Sequence, residues 1–105
     1  MASGKLGNAA LTAATNATVY TVPDNTVASF GVYVVNRGGS PAEVILSVSE
    51  TDTPTNAERI ENVTIPAFGV LERTGIIAGA GERLVANDST GNCSVRVHGY
   101  EEGAA

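Results

Sequence analysis

The sequence predicts an all-β fold, an antiparallel β-sandwich or jelly roll of seven to eight short strands, and three observations lead there. Residues 28–36, Ala-Ser-Phe-Gly-Val-Tyr-Val-Val-Asn, are apolar on both of their period-two faces and run straight into Arg37-Gly38-Gly39-Ser40-Pro41. A strand with two apolar faces, closed by a tight turn, belongs inside a sheet packed on both sides. Short alternating runs recur at near-regular spacing through the rest of the chain, separated by Gly, Pro, Asn and Asp turns. No stretch of ten or more residues carries a 3.6-residue apolar period, so at most one helical turn is expected, near residues 55–58.

Residues 1–17 hold a single charge and many Ala, Gly, Thr and Asn. Their side chains are too small to build a core, so this segment is expected to be a flexible arm with a weak first strand near residues 9–14. The sandwich proper is expected over residues 18–102, with 103–105 as a tail. Residues 18–22 alternate and stop at Pro23-Asp24-Asn25-Thr26, a turn in which Pro presets φ, and a hairpin into residues 27–36 is expected. Residues 43–49 place Val44, Leu46 and Val48 on one face and Glu43, Ser47 and Ser49 on the other, with Ile45 breaking the pattern.

Residues 50–56 are polar and carry Pro54, which reads as the longest loop and a place for contacts, with Asp52 and Pro54 exposed at one end. Alternation returns over 59–65, and Pro66-Ala67-Phe68-Gly69 turns into a strand over 70–77 whose Gly75 marks a bulge or a close backbone approach. After the Ala78-Gly79-Ala80-Gly81 corner, residues 82–86 form a strand that ends at Asn87-Asp88-Ser89-Thr90-Gly91-Asn92. Residues 93–100 then alternate most cleanly, with Val95, Val97 and Gly99 inward and Ser94, Arg96, His98 and Tyr100 outward.

At 105 residues the chain makes one domain, large enough to bury roughly two thirds of its unfolded surface. Charged residues are only 16% of the chain, which leaves a weakly charged surface that tolerates close neighbours. The net charge of −5, with six scattered cations, argues against a nucleic-acid partner. The start Met1-Ala2-Ser3-Gly4-Lys5-Leu6-Gly7 lacks the apolar core of a signal peptide, and no run approaches a membrane span. A soluble chain made in a cytoplasm, with no membrane partner, is therefore expected. With that expectation, the sequons at Asn16, Asn62, Asn87 and Asn92 read as turn chemistry.

Catalysis needs groups that exchange protons, attack, or hold a metal, and they are sparse here. His98 has no metal-ligand companion at a useful spacing, and Cys93 is the single cysteine, with neither Lys nor His close by in sequence to activate it. The acidic stretch 49–53 lacks the spaced ladder of a calcium loop, and Gly79-Ala80-Gly81 leads into no helix that could hold phosphate. No enzyme activity, cofactor or metal is expected. The absence of Trp also leaves no flat platform of the kind sugar-binding sandwiches present. Self-association remains: Tyr20, Tyr33, Ile45, Phe68 and Tyr100 exceed what one thin core requires, and Tyr20, Tyr33, Phe68 and Tyr100 are the expected interface residues.

Several stretches resemble a family of small virion structural proteins from tailed bacteriophages of aquatic bacteria. They are Thr18-Val19-Tyr20-Thr21-Val22-Pro23, Val34-Val35-Asn36-Arg37-Gly38, Ile65-Pro66-Ala67, Leu71-Glu72-Arg73-Thr74-Gly75-Ile76, Gly81-Glu82-Arg83 and Ser94-Val95-Arg96-Val97-His98-Gly99-Tyr100. These are strand and turn signatures spread over most of residues 18–101. The resemblance implies a virion protein that decorates or cements the capsid by protein–protein contacts. Its implied partners are the major capsid protein or other virion proteins, and its implied oligomer is a homotrimer. It leaves open an adaptor or glycan-binding host-contact role at the neck, tail or baseplate.

Overall fold

A computed structural model describes residues 3–104. Eight strands are present: β1 (Ser3–Ala10), β2 (Ala17–Thr21), β3 (Thr26–Asn36), β4 (Ala42–Ser49), β5 (Arg59–Ile65), β6 (Val70–Gly79), β7 (Arg83–Asp88) and β8 (Cys93–Gly103). One turn of 3₁₀ helix, Asn56–Glu58, precedes β5. The strands form two antiparallel sheets, sheet A in the order β1-β8-β3-β6 and sheet B in the order β2-β7-β4-β5. β1 pairs with β8, β2 with β7, β3 with β6 and β4 with β5. A chain doubled back on itself into four such pairs and rolled into two facing sheets is a jelly roll.

The core lies between the sheets. β3 sends Ala28, Phe30, Val32 and Val34 inward, β8 sends Cys93, Val95 and Val97, β4 sends Ala42, Val44 and Leu46, and β7 sends Leu84 and Ala86. Each large aliphatic side chain fully buried this way contributes about 1.5–3 kcal/mol. Gly99 fits the β8–β3 seam because a Cβ there would lie 2.1 Å from the Ser29 carbonyl oxygen. Gly75 sits at φ +77 where the β6 register slips against β3, which is the bulge that the sequence pointed to.

Three expectations about the chain's course are corrected. The first concerns the arm: residues 3–10 form edge strand β1 along β8, and Leu11 is buried in the core. Small residues here are a packing requirement, since a Cβ on Gly7 would stand 2.3 Å from the Val19 carbonyl oxygen of β2. The weak strand looked for at 9–14 thus lies earlier, and Met1 and Ala2 are outside the described residues. The second concerns the tail: Gly103 ends β8 opposite Thr26 and the Ala104 N–H donates to the Asn25 carbonyl at 2.8 Å, while Ala105 lies outside the described residues.

Third, residues 18–22 do not make a hairpin with 27–36. The turn at 23–25 carries the chain from sheet B to sheet A, and β2 pairs with β7 instead. Sequon chemistry also differs from the turn reading at two positions. Asn62 is a β5 residue, and Asn87 in β7 donates to the Asn16 Oδ1 at 2.9 Å, a contact outside any turn.

Candidate functional site

The sequence placed residues 28–36 in a sheet packed on both sides, and the structure corrects half of that. β3 is interior, flanked by β8 and β6, but the chain covers only one of its faces. The other face carries Val27, Ser29, Tyr33 and Val35 outward, and β6 and β8 extend it with Val70, Ile77 and Tyr100. Val70 is 64% exposed, Ile77 72% and Tyr100 50%. Isolated exposed apolar residues are ordinary on protein surfaces; here they gather at the two ends of the face, with exposed Glu72 and Arg96 flanking Tyr33 between them, and such groups mark contact regions.

The face has two ends and a centre. At one end, Val27, Ser29, Ile77, Tyr100 and Glu102 line a groove of about 180 Å³. At the centre, the Tyr33 ring packs edge-on against His98 with centroids 4.4 Å apart. The Tyr33 hydroxyl is hydrogen-bonded to Glu72, which raises its pKa above the ordinary tyrosine value. His98 Nδ1 is enclosed without a hydrogen-bond partner among the described residues.

The far end is the β5–β6 turn, where Phe68 stands 72% exposed two residues ahead of Val70. This turn is held firmly by buried Asn36. Its Nδ2 lies 2.8 Å from the Ser40 carbonyl and 3.2 Å from those of Ile65 and Pro66, and its Oδ1 accepts from the Gly38 N–H at 3.0 Å. The Asn36 backbone N–H donates to the Gly69 carbonyl at 2.9 Å and the Phe68 N–H to the Gly38 carbonyl at 3.2 Å.

Of the four expected interface residues, Tyr33 and Tyr100 share this face and Phe68 stands at its end. Tyr20 does not join them and is corrected here. It is a core residue, 7% exposed, with its ring edge-on to Phe30 at 5.6 Å and its hydroxyl donating to Glu101 Oε2 at 2.5 Å. Burial and the neighbouring carboxylate raise its pKa. The alternation of 18–22 left its face ambiguous, because a slip in the β2–β7 register turns both Val19 and Tyr20 partly inward.

Part of the opposite outer face, on sheet B around Val85, is covered by its own chain. The loop after β4 crosses back over it, with the Asp52 carboxylate accepting from the Thr18 hydroxyl of β2 and from Arg83 Nη1 of β7 at 2.9 Å. These two contacts, the Thr18 bond first, hold the Asp52 pKa below the usual carboxylate range. Pro54, Ile45, Ser47, Arg59, Val85, Asn87 and Asn16 enclose only about 60 Å³ beneath the loop. The loop nonetheless keeps Asp52 exposed, as expected, with Pro54 half-buried.

The remaining reactive groups are structural. Buried Asp88 accepts from the Thr90 N–H at 2.9 Å, the Thr90 hydroxyl at 3.0 Å and the Cys93 N–H at 2.9 Å, pinning the β7–β8 turn. Burial pushes its pKa upward, but these hydrogen bonds outweigh that and hold it below the ordinary value. Cys93 is buried, and burial with the adjacent carboxylate pushes its thiol up to about 12, so it stays protonated and a poor nucleophile. No group of three or more His, Cys, Asp or Glu is placed to hold a metal among the described residues, and no helix is long and apolar enough to cross a membrane.

Fold and face together define a jelly-roll domain with one outer face partly covered by its own loop and the other carrying exposed apolar residues at both ends of a polar centre. No family model matches the chain, and no curated protein matches it. Among solved structures it is similar to a pentameric capsid protein isolated from metagenomic phage sequences. The identity is 17% and the TM-score 0.39, over 95% of this chain and 60% of that one, so the chain spans about three fifths of that protein's length.

Proposed function

We propose that this chain is a virion structural protein, which decorates or cements a phage capsid by protein–protein contacts through the outer face of sheet A. The exposed apolar residues at the two ends of this face are the observation that carries this reading. Exposing Val27, Val35, Val70 and Ile77 together is costly to solubility, and burying them against another protein recovers about 25 cal/mol for each Å² of apolar surface. The jelly roll supports the reading at the level of fold, being a recurrent architecture of viral capsid domains, although lectins and cupins share it. The strand and turn resemblance to phage virion proteins points the same way.

On this reading the partners are the major capsid protein or other virion proteins, the working form is a homo-oligomer, with three copies implied by the resemblance, and the location is the virion. No reaction, cofactor or metal enters the role. Repetition over a symmetric shell multiplies a modest contact at each copy. Heads prepared without this protein should release DNA at a lower temperature than heads to which the purified chain has been added back. Identical release temperatures would remove cementing, and a virion map placing the chain at the neck, tail or baseplate would remove decoration.

A further inference from the structure

Phe68 occupies a backbone position that a phenylalanine rarely takes. The Gly69 N–H donates to the Pro66 carbonyl at 2.9 Å, which makes residues 66–69 a β-turn with Phe68 at its third position and φ at +59. That geometry favours Gly or Asn, because a side chain there crowds its own backbone. The bulky aromatic is nonetheless held out into solvent, 72% exposed, by a turn that Asn36 and Gly38 fix from behind. A strained, rigid and exposed aromatic is the kind of outlier from which a functional role is inferred.

At the other end of the same face lies its complement. The groove of about 180 Å³ between Val27, Ile77 and Tyr100 exceeds the roughly 150 Å³ in which a benzene ring is held in a protein cavity. Knob and groove are separated by the length of β3 from Val27 to Val35, eight residue steps or about 26 Å, so no copy can fill its own groove. The charges match as well: exposed Arg37 adjoins Gly38, whose carbonyl binds the Phe68 N–H, and Glu102 lines the groove.

Resting on the reading of this face as a protein interface, we infer that Phe68 of one copy seats in the Val27–Ile77–Tyr100 groove of the next. Arg37 then meets Glu102 at the rim. The contact is head-to-tail, so successive copies close into a ring where the rotation permits.

The test is complementation, followed by sedimentation velocity from micromolar to millimolar chain. Phe68→Gly removes the knob at a position that suits glycine, and Ser29→Tyr fills the groove with a residue that suits a strand. A far-UV spectrum like that of the unaltered chain and a cooperative melt establish that both variants fold, since loss of association by itself lowers the melting temperature. The unaltered chain should self-associate, each variant alone should sediment as a single chain, and an equimolar mixture should form a two-chain species, because one variant keeps the groove and the other keeps the knob. Association of Phe68→Gly at the unaltered strength, a mixture that stays single-chain, or an unaltered chain that never associates would each overturn the inference. A chain that stays single in solution yet still binds heads would overturn this contact while leaving the virion role standing. Ring formation without head binding would do the reverse.

Discussion

Val85 on sheet B and Ile77 on sheet A both point away from the core, yet Val85 is 2% exposed and Ile77 is 72% exposed. The strands beneath them are similar in apolarity; the difference is the chain that follows β4. Residues 50–58 fold back over sheet B and are tied down by Asp52 to Thr18 and Arg83, whereas no described segment returns over sheet A. A jelly roll needs only its inner faces for stability. The apolar centre of one outer face has therefore been covered by a loop, and the other face keeps apolar residues whose burial the chain itself does not provide.

If the comparison holds, a charge under the loop is felt in folding. Val85→Asp should cost about 3 kcal/mol or more, read from the urea midpoint at unchanged slope, because the carboxylate would be buried without a partner. A cost under about 1 kcal/mol would mean that the loop does not seal sheet B. Next in size is Asp88→Ala, which orphans the Cys93 and Thr90 donors and should cost about 2–3 kcal/mol.

Asp88 also carries a pH signature. Its folded pKa is depressed, so its contribution is fully present above the unfolded value of about 4 and is lost as pH falls through the lower folded value. The melting temperature of the unaltered chain should drop over that acid window, and Asp88→Asn should flatten the drop. An unchanged profile in the variant would remove Asp88 as its source.

On sheet A the effect moves from folding to association. Tyr100→Ala should leave the urea midpoint of the isolated domain almost unchanged and weaken self-association by roughly 30-fold, the size expected of an aromatic anchor. A variant that assembles normally would take Tyr100 off the face. Asp52→Ala should sharpen the contrast by loosening the cover on sheet B: proteolysis within residues 50–58 should accelerate, with association untouched. The smallest effect, and one of opposite sign, belongs to Phe68→Gly. Relief of its left-handed backbone should leave the single chain about 0.5 kcal/mol more stable, after the greater flexibility of unfolded glycine is offset.

The strands were legible in the sequence because period-two alternation and turn residues are local signals. Residues 59–65 match β5 end for end, the helical turn falls where it was read, and the outward parity of Tyr100 follows from its strand. Long-range partners were not legible. Nothing local in Pro23-Asp24-Asn25 says that the chain changes sheets there, and a Gly- and Ala-rich start reads as an arm until β2 is known to lie against Gly7. Ser47 and Ser49 are polar and outward by parity, yet both are buried, because the loop that follows them folds back over sheet B, a path that no local signal announces. The candidate site was half visible for the same reason: its residues could be named, but the groove exists only where β3, β6 and β8 come side by side, and φ at Phe68 has no sequence signature.

A matched pair of charges tests the central claim most directly, one on each outer face at an exposed position: Ile77→Asp on sheet A and Asn62→Asp on sheet B, compared by sedimentation velocity with the unaltered chain. The account predicts that Ile77→Asp sediments as a single chain while Asn62→Asp associates as the unaltered chain does. Association that survives Ile77→Asp and is abolished by Asn62→Asp would contradict it.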